Sequence, residues 1–586
     1  MSKVGGKAFD FKLFVRVLAY AKPYRALFLF SVILTVVLGA MGTARPILIR
    51  QVIDDAILGS DAPLLMNLTL ILVGLLLIES LGQFAFMYAA NWLGQSIIKD
   101  IRIELYDKLQ TFTHSFYDKT PIGQLVTRVV SDIETISQIF SQGILVIFGD
   151  LFRILVMLGA MFFFFNPVLV LVSLSIIPVL FIATRWFQRG IKESFQQVRS
   201  EISNLNTFVQ EHLGGMAVVQ AFGRERQEYD KFEAINDRHR VANVRSIFYY
   251  ALFFPIIEVL SAISIGLAVW YGGMNAATGG SVTVGELTAM IIFVGMLFRP
   301  LRQLADRFNT LQMGMVASER VLNLLDNERD IEPNGSVQLS QLKGAIAFKD
   351  VHFHYNADEP ILRDVSFEVA PGETVAIVGA TGAGKSTIIS VLMGFYPYQK
   401  GSVSIDGHEL TTLDLHKLRT QLALVLQDVF LFSDTVRSNI VLGETQITDQ
   451  QIMEAASAIG IKEFIDGLPQ GLDYNVQERG GVLSAGQRQL LAFLRAYITD
   501  PSVLILDEAT SSIDSHTEEL IQRALIALTK DRTSVIIAHR LSTIQHADRI
   551  IVLDKGKVVE VGNHAALLEA KGAYHNLYEK QFASEA

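Results

Sequence analysis

Long runs of apolar residues dominate the first half of the chain. A helix needs about 20 such residues to cross the hydrocarbon core of a bilayer, and six candidate spans occur, at Ala26–Ala44, Leu64–Trp92, Ile144–Phe165, Val168–Thr184, Ile247–Gly272 and Leu287–Phe298. The last run is short and is expected to continue past Pro300. The turn signal Asn166-Pro167 predicts a tight hairpin between the third and fourth spans. The pattern predicts an α-helical membrane domain.

Two long segments between the spans, Gly94–Ser137 and Arg185–Ser246, repeat apolar residues at helical spacing and carry most of the Lys and Arg. The spacing predicts that the spans extend out of the membrane as long helices. Because basic residues favour the cytoplasmic side, these segments and both termini are predicted to be cytoplasmic. Arg45 and Arg50, assigned to the first outer loop, are the exceptions. Residues 1–25 are amphipathic and predict a membrane-surface helix.

The pattern changes after Arg320. A polar stretch over residues 327–336 is followed from Ile346 by short β-branched runs that alternate with helical ones. This alternation is typical of a soluble α/β domain. We therefore predict a membrane domain over 1–325, a linker over 326–345 and an α/β domain over 346–586.

Composition supports this division. Half of the residues are hydrophobic, and the mean hydropathy of +0.35 is high for a soluble protein. The formal net charge of -9 gives no basic field that would attract a nucleic-acid partner. The absence of Cys excludes disulfides, thiolate metal sites and cysteine nucleophiles.

A buried strand beginning at Thr374 runs into a glycine-rich loop and then a helix. The loop fits G-x-x-x-x-G-K-[ST] at Gly379–Ser386. In such a loop the backbone N–H groups surround phosphates, the lysine supplies a point charge and the Ser hydroxyl ligates Mg²⁺. The predicted cradle consists of Gly379, Thr381, Gly382, Ala383, Gly384, Lys385, Ser386 and Thr387, with Ser386 also a metal ligand.

A second buried strand ends in the acids Asp507 and Glu508. Taken alone, such a pair is more often an ordinary helix N-terminus. Ligands of α/β sheets, however, bind at the carboxyl ends of strands, where the phosphate loop also lies. With that neighbour, Asp507 suits the Mg²⁺ shell and Glu508 suits a base that activates water.

The run Val482–Gln489 contains Leu-Ser-Ala-Gly-Gln, which resembles the signature sequence of ABC ATPases, with Ala485 in place of the usual glycine. The resemblance assigns nucleotide contact to Ser484, Gly486 and Gln487. It also implies that Gln477–Gly480 relays to the membrane domain, although Gln477 replaces the usual glycine. Single residues follow by motif: Tyr355 stacks on adenine, Gln427 links Mg²⁺ to the membrane domain, Asp514 lies at the dimer interface and His539 touches the γ-phosphate.

Nearly the whole chain resembles bacterial type IV (B-type) exporters of the ABC superfamily, half-transporters with fused membrane and ATPase domains. The resemblance implies an ATPase with ATP and Mg²⁺ as cofactors, coupled to export of amphipathic or hydrophobic drugs or lipids by alternating access. It implies a multi-pass protein of the bacterial cytoplasmic membrane, with the ATPase domain in the cytoplasm. Segments at Phe116–Gly123 and Ala221–Glu225 resemble the two coupling regions that rest on ATPase domains.

In this family each ATP lies between the phosphate loop of one domain and the signature of another, and the chain holds one copy of each. A second chain is therefore implied. Glu508 and His539 are both present, which favours a homodimer, and a heterodimer stays open. Two alternative functions also stay open: a lipid flippase, and an ATP-gated channel or regulator with the same architecture.

Three acids, Glu79, Asp150 and Glu258, fall in the cytoplasmic third of the predicted spans. Charges in spans usually face protein or water. One interpretation is hydration at the interface, with Asp150 paired to Arg153 on the same helix. The other is an acidic, water-filled cavity that would favour cationic or amphipathic substrates.

Overall fold

The computed structural model describes residues 10–443, 446–507, 515–538 and 540–581. The chain divides into two compact units, one of Met1–Gln110 and Pro121–Asn327 and the other of Thr111–Thr120 and Glu328–Ala586. The short segment Thr111–Thr120 thus belongs to the second unit, although it interrupts the first in sequence. The predicted boundaries 1–325, 326–345 and 346–586 stay a prediction.

The first unit is helical. Its α-helices are Phe11–Ala19, Arg25–Gln51, Ala62–Gln110, Ile122–Thr127, Ile133–Gln138, Leu145–Phe164, Pro167–Leu174, Ile177–Gly214, Met216–Ala221, Glu225–Ala277 and Val284–Leu325. A 3₁₀ turn at Lys22–Tyr24 and π-helical stretches at Val52–Ile57, Arg128–Asp132 and Ile139–Ile144 continue some of them.

Within the part of the chain that the structure describes, five of these helical segments are long and apolar enough to cross a membrane: Lys22–Ile57, Ala62–Gln110, Ile122–Phe164, Pro167–Gly214 and Glu225–Ala277. The sixth predicted span lies inside the helix Val284–Leu325, which continues through Pro300 as expected. Large apolar side chains such as Leu81, Phe84 and Leu155 are exposed on these helices, as lipid contact requires. These helices and the sheets described below match the predicted class, an α-helical transmembrane domain fused to an α/β domain.

The predicted hairpin at Asn166-Pro167 is confirmed, and its geometry explains it. The Asn166 side chain accepts hydrogen bonds from the backbone N–H groups of Val168 (3.0 Å) and Leu169 (3.3 Å). Pro167 occupies the first helical position, where its missing N–H costs nothing. One helix therefore ends at Phe164, and the next begins at Pro167.

A group of polar contacts, which we call the far-end clasp, joins the end of the first long helical segment to two later ones. The Asp54 carboxylate accepts hydrogen bonds from the Gly285 N–H (2.8 Å) and from the Thr283 hydroxyl. Arg50 lies 3.6 Å from Asp54 and donates to the Phe164 carbonyl. Arg50 and Arg45 lie inside the helix Arg25–Gln51, so their assignment to an outer loop was wrong.

The predicted acids Glu79 and Asp150 face arginines of the chain itself. Glu79 is 5 % exposed and lies 3.7 Å from the Arg45 guanidinium. Asp150 contacts Arg307, so the predicted partner Arg153 was wrong. Glu258 is exposed on the helix Glu225–Ala277. Fixed cations therefore balance Glu79 and Asp150.

The predicted N-terminal surface helix is the segment Phe11–Ala19. The Asp10 carboxylate caps it by accepting from the backbone of Lys12 at 2.9 Å and Leu13 at 3.2 Å. Val17 is buried, whereas Phe11 and Val15 are exposed, so the helix keeps a free apolar face. Such a face is suited to the interfacial layer of a membrane.

The second unit contains two sheets. Its strands are β1 Ile346–His354, β2 Pro360–Val369, β3 Thr374–Gly379, β4 Lys400–Ile405, β5 His408–Glu409, β6 Leu422–Val425, β7 Val503–Asp507, β8 Thr533–Ile537, β9 Arg549–Asp554 and β10 Lys557–Gly562. An antiparallel sheet has the order β2-β1-β4-β5, and the larger sheet has the order β10-β9-β3-β8-β7-β6. The larger sheet is parallel apart from β10.

The α-helices of the second unit are His114–Lys119, Lys385–Leu392, Leu415–Arg419, Val436–Val441, Asp449–Ala458, Lys462–Asp466, Ala485–Ile498, Ser515–Thr529, Leu541–Gln545, His564–Glu569 and Ala573–Gln581. The helices Lys385–Leu392 and Ala485–Ile498 pack on opposite faces of the larger sheet. Because side chains alternate along a strand, Ala376 and Val378 of β3 enter one core, and Val375 and Ile377 enter the other.

Candidate nucleotide-binding site

The glycine-rich loop leaves β3 at Gly379 and enters the helix Lys385–Leu392. Gly382 and Gly384 have φ of +82° and +104°, which glycine adopts more readily than other residues. No side chain caps the helix, because Gly384 is its N-cap. A Cβ on Gly382 would meet nothing within 4 Å. The loop thus presents helix N–H groups to open space, the arrangement that binds phosphate.

Lys385 is held inside this loop. Its side chain is 7 % exposed, and its Nζ donates to the carbonyls of Gly379 (2.7 Å) and Ala380 (3.1 Å). Burial lowers the pKa of Lys385, and the Asp507 carboxylate acts in the opposite direction. The Ser386 side chain that follows is exposed. The Lys385 ammonium and the Ser386 hydroxyl therefore lie at the start of the helix Lys385–Leu392.

The parallel strands bring other predicted residues to the same edge of the sheet. Asp507 ends β7 and pairs with Ile537 of β8, which pairs with Ile377 of β3. Two strand spacings, about 10 Å, therefore separate Asp507 from the strand that carries the phosphate loop. Gln427 lies in the exposed bend after β6. Glu508, Asp514 and His539 lie outside the described residues.

Tyr355 follows β1, and other aromatic rings fix its orientation. Its ring makes edge contacts with Phe353 at 4.8 Å and with Tyr396 at 5.0 Å between centroids. Its hydroxyl lies 3.4 Å from the hydroxyl of Thr387, on the phosphate-loop helix. The ring remains 44 % exposed. It therefore offers a firmly held aromatic surface beside the loop.

The signature residues begin the helix Ala485–Ile498. The Ser484 hydroxyl accepts from the Gln487 N–H at 3.2 Å, and the Gln487 side chain accepts from the Ser484 N–H at 2.9 Å. This reciprocal cap is the ordinary way to start a helix, and it also fixes the orientation of both side chains. Ser484 and Ala485 are exposed, and Gly486 is buried.

The phosphate loop and the signature lie on different faces of the larger sheet. Ile388, Ile389 and Leu392 of the phosphate-loop helix enter the core that contains Val375. The buried face of the signature helix, from Leu490 to Leu494, enters the core that contains Ala376. Within one chain the sheet therefore stands between the two helices.

Gln477 occupies a backbone conformation that normally requires glycine. Its φ and ψ are 59° and -171°, a region that is essentially restricted to glycine because a Cβ crowds the backbone there. Gln477 is also the position at which the sequence departs from the glycine of the motif that it resembles. The fold keeps the glycine conformation although the side chain has changed.

We expect Gln477→Gly to stabilise the second unit. Relief of strain worth about 1 to 3 kcal/mol outweighs the greater freedom of glycine in the unfolded chain, about 0.5 to 1 kcal/mol. The measurement is the unfolding midpoint of the purified full chain. Gln470→Gly is the matched control, because Gln470 has an ordinary φ of -130°, and it should lower the midpoint. An unchanged or lower unfolding midpoint for Gln477→Gly would contradict the prediction that the backbone at Gln477 is strained.

Arg495 has a role that the sequence did not suggest. From the signature helix it donates to the carbonyls of Asn439 at 2.8 Å and Phe430 at 3.4 Å. It thereby ties the signature helix to the loop that follows Gln427. Its acceptors are backbone atoms more than 50 residues away, so no local pattern could have pointed to it.

Comparisons with known proteins cover both units. The family description "ABC transporter transmembrane region" matches residues 28–301, and "ABC transporter" matches residues 362–511. An uncharacterized ABC transporter ATP-binding protein of Bacillus subtilis, YknV, is 38% identical over 99% of this chain and 96% of its own length. ATP-dependent lipid A-core flippase 1 of Colwellia psychrerythraea is 33% identical over 97% of this chain and 96% of its own length. The solved structure of a bacterial Atm1-family ABC exporter with ATP bound superposes with a TM-score of 0.76 at 28% identity, covering 95% of this chain and 99% of that one.

Proposed function

The chain belongs to the ABC transporter family and is an ATP-driven exporter half-transporter; from this premise, we propose that two copies of it form the working unit. The observation that carries the proposal is the separation of the phosphate loop and the signature by the larger sheet. A nucleotide held by one loop needs the signature of another chain. The proposed pair has two equivalent sites.

In each proposed site, one copy binds the phosphates through the loop from Gly379 to Thr387, and Tyr355 stacks on adenine. The oxygen atoms of Ser386, Gln427 and Asp507 suit Mg²⁺, which prefers a few oxygen ligands together with nucleotide phosphates. Glu508 activates water and His539 contacts the γ-phosphate. The other copy supplies Ser484, Gly486, Gln487 and Asp514. Bound Mg²⁺ would neutralise phosphate charge during hydrolysis.

Two exposed apolar surfaces support self-association. One, at Leu213, Val218 and Phe222, includes a Phe222 side chain that is 74 % exposed. The other lies beside Gln427, where Leu426, Phe430 and Phe432 are also exposed. We infer that the first surface of one copy covers the second surface of its partner. Because both surfaces occur on this chain, a symmetric homodimer can bury both pairs, which favours it over a heterodimer.

For the substrate, we propose an amphipathic or hydrophobic molecule, a drug or a lipid, that leaves the cytoplasm or the inner leaflet by alternating access. Relatives named as lipid A-core flippases favour a lipid. The protein is proposed to lie in the bacterial inner membrane. The basic segments between the spans support a cytoplasmic location for its ATPase domain. Nucleotide-driven closure of two ATPase domains would bias the membrane helices toward the outward-facing state.

Mixing experiments test the homodimer. Unmodified chains are combined with Lys385→Ala chains before reconstitution, and ATPase activity is measured against the fraction of altered chain. If both sites of a pair must bind ATP, an equal mixture should retain about one quarter of the activity, because chains pair at random. A linear decline would show independent sites, and an inactive unmodified chain would favour a heterodimer.

Transport in proteoliposomes tests the export function. A fluorescent phospholipid or a cationic dye is followed during ATP addition, with Glu508→Gln proteoliposomes as the control. ATP-dependent accumulation against a gradient supports a pump, and redistribution of labelled lipid between leaflets supports a flippase. Equilibration without accumulation would favour the channel alternative.

A further inference from the structure

The segment Thr111–Thr120 is anchored on the stretch that follows the last membrane helix. The Thr113 N–H donates to the Asp330 carbonyl at 2.8 Å, and the Glu332 N–H donates to the Thr111 carbonyl at 2.9 Å. Between them, Phe112 pairs with Ile331 in an antiparallel bridge. Phe112 is also buried. The segment and residues 330–332 are therefore joined into one piece by backbone hydrogen bonds.

Arg419 links this piece to the end of the phosphate-loop helix. Its guanidinium binds both oxygens of the Glu332 carboxylate, at 2.7 and 3.0 Å. The same group donates to the Met393 carbonyl from Nε at 3.2 Å and from Nη2 at 3.0 Å. Met393 is the C-cap of the helix Lys385–Leu392. A bidentate pair of this kind fixes distance and orientation together.

A second contact runs through aromatic rings. His114 lies on the segment, with its ring 5.2 Å from that of Phe395 and 5.9 Å from that of Tyr396. Tyr396 makes the edge contact with Tyr355 described above. The Arg419 guanidinium lies over the Phe395 ring at 5.2 Å. Two ring contacts thus connect the proposed adenine surface to the segment.

We propose that Arg419 and His114 are positioning residues that transmit nucleotide occupancy to Thr111–Thr120. Arg419 couples the segment to the C-terminal end of the phosphate-loop helix, and His114 couples it to Tyr355 through Tyr396. The inference rests on the proposed ATP site. It adds named side chains through which that site acts on a segment joined at both ends to membrane-domain helices.

An ordinary structural ion pair is the alternative, and the chain contains a matched example. Arg549 binds Glu373 at 2.8 Å and also donates to a backbone carbonyl, that of Glu368. It resembles Arg419 in binding one carboxylate and one backbone carbonyl, but its partners Glu373 and Glu368 are not part of the piece that contains Thr111–Thr120 and residues 330–332. A purely structural role predicts the same consequences for loss of either arginine. The proposed role predicts a difference.

The experiment uses the full chain, whose lack of Cys allows a single labelling site. Lys119→Cys, on the exposed face of the segment, carries a spin label, and its spectrum is recorded with and without a non-hydrolysable ATP analogue. MANT-ATP fluorescence measures nucleotide affinity in parallel. We expect a nucleotide-dependent spectral change in the labelled parent, and loss of most of this change with retained MANT-ATP affinity in Arg419→Ala and in His114→Ala.

Arg419→Lys keeps the charge without the bidentate geometry, so it should give an intermediate spectral response. It replaces Arg419→Ala in the experiment if Arg419→Ala misfolds. Arg549→Ala should respond as the labelled parent does. Full spectral responses in both Arg419→Ala and His114→Ala with normal MANT-ATP binding would overturn the coupling role alone. Absence of MANT-ATP binding in the labelled parent would overturn the proposed ATP site and this inference with it.

Discussion

Glu508→Gln is expected to lower ATP turnover by about 10²- to 10⁴-fold, the contribution typical of a positioned general base. Gln has nearly the same shape but cannot accept a proton from the attacking water at neutral pH. ATP binding should persist because the phosphate loop is unchanged. Steady-state ATPase rates and MANT-ATP titration of the same preparation separate the two effects.

Asp507→Asn is the natural comparison, since the two acids are neighbours with different assigned roles. Loss of a metal ligand should weaken Mg²⁺-dependent nucleotide binding, whereas loss of the base should leave it intact. Glu508→Gln should also accumulate ATP-bound pairs in the closed state. Turnover near the unmodified rate would remove Glu508 from the role of base.

Lys385→Ala is expected to abolish measurable ATPase activity and to weaken ATP binding by roughly 10- to 100-fold, the effect of losing a charge-assisted hydrogen bond. Lys385 Nζ donates hydrogen bonds to the carbonyls of Gly379 and Ala380. The ammonium is therefore already held within the loop that we propose to bind the phosphates. MANT-ATP titration and ATPase rates of the purified chain give the measurement.

The control for Lys385→Ala is Lys557→Ala, on the exposed edge strand β10. It removes the same charge from the chain without touching the loop, so it should leave both measurements unchanged. Circular dichroism and the unfolding midpoint show whether Lys385→Ala remains folded. Tight ATP binding by folded Lys385→Ala would contradict the assigned role of the lysine.

Most of the architecture could be predicted from local pattern. Apolar runs located the spanning helices, and the strand before the phosphate loop was recognisable because it is continuously apolar before a glycine-rich turn. Asn166-Pro167 specified its hairpin through its own backbone chemistry. These features depend on residues close together in sequence, so a single sequence contains them.

The errors and omissions share a different physical origin. Asp150 binds Arg307 rather than Arg153, and Arg45 turns out to face Glu79 from inside a helix. Arg419 joins Glu332 and Met393 across 87 and 26 residues. Each depends on which helices or strands become neighbours, and that is decided by packing of the whole unit. The spacing of residues along the sequence therefore does not predict which distant charged residues form ion pairs.

The far-end clasp has a consequence for biogenesis. Asp54 and its partner Thr283 are separated by 229 residues, and synthesis proceeds at about 5 to 20 residues per second, so Asp54 emerges roughly 10 to 45 seconds before Thr283. During that interval the carboxylate lacks the hydroxyl and N–H donors of the last long helix. Closure of the clasp thus has to wait for the start of the last long helix, and chains truncated before Thr283 would leave the Asp54 carboxylate with Arg50 but without these two donors.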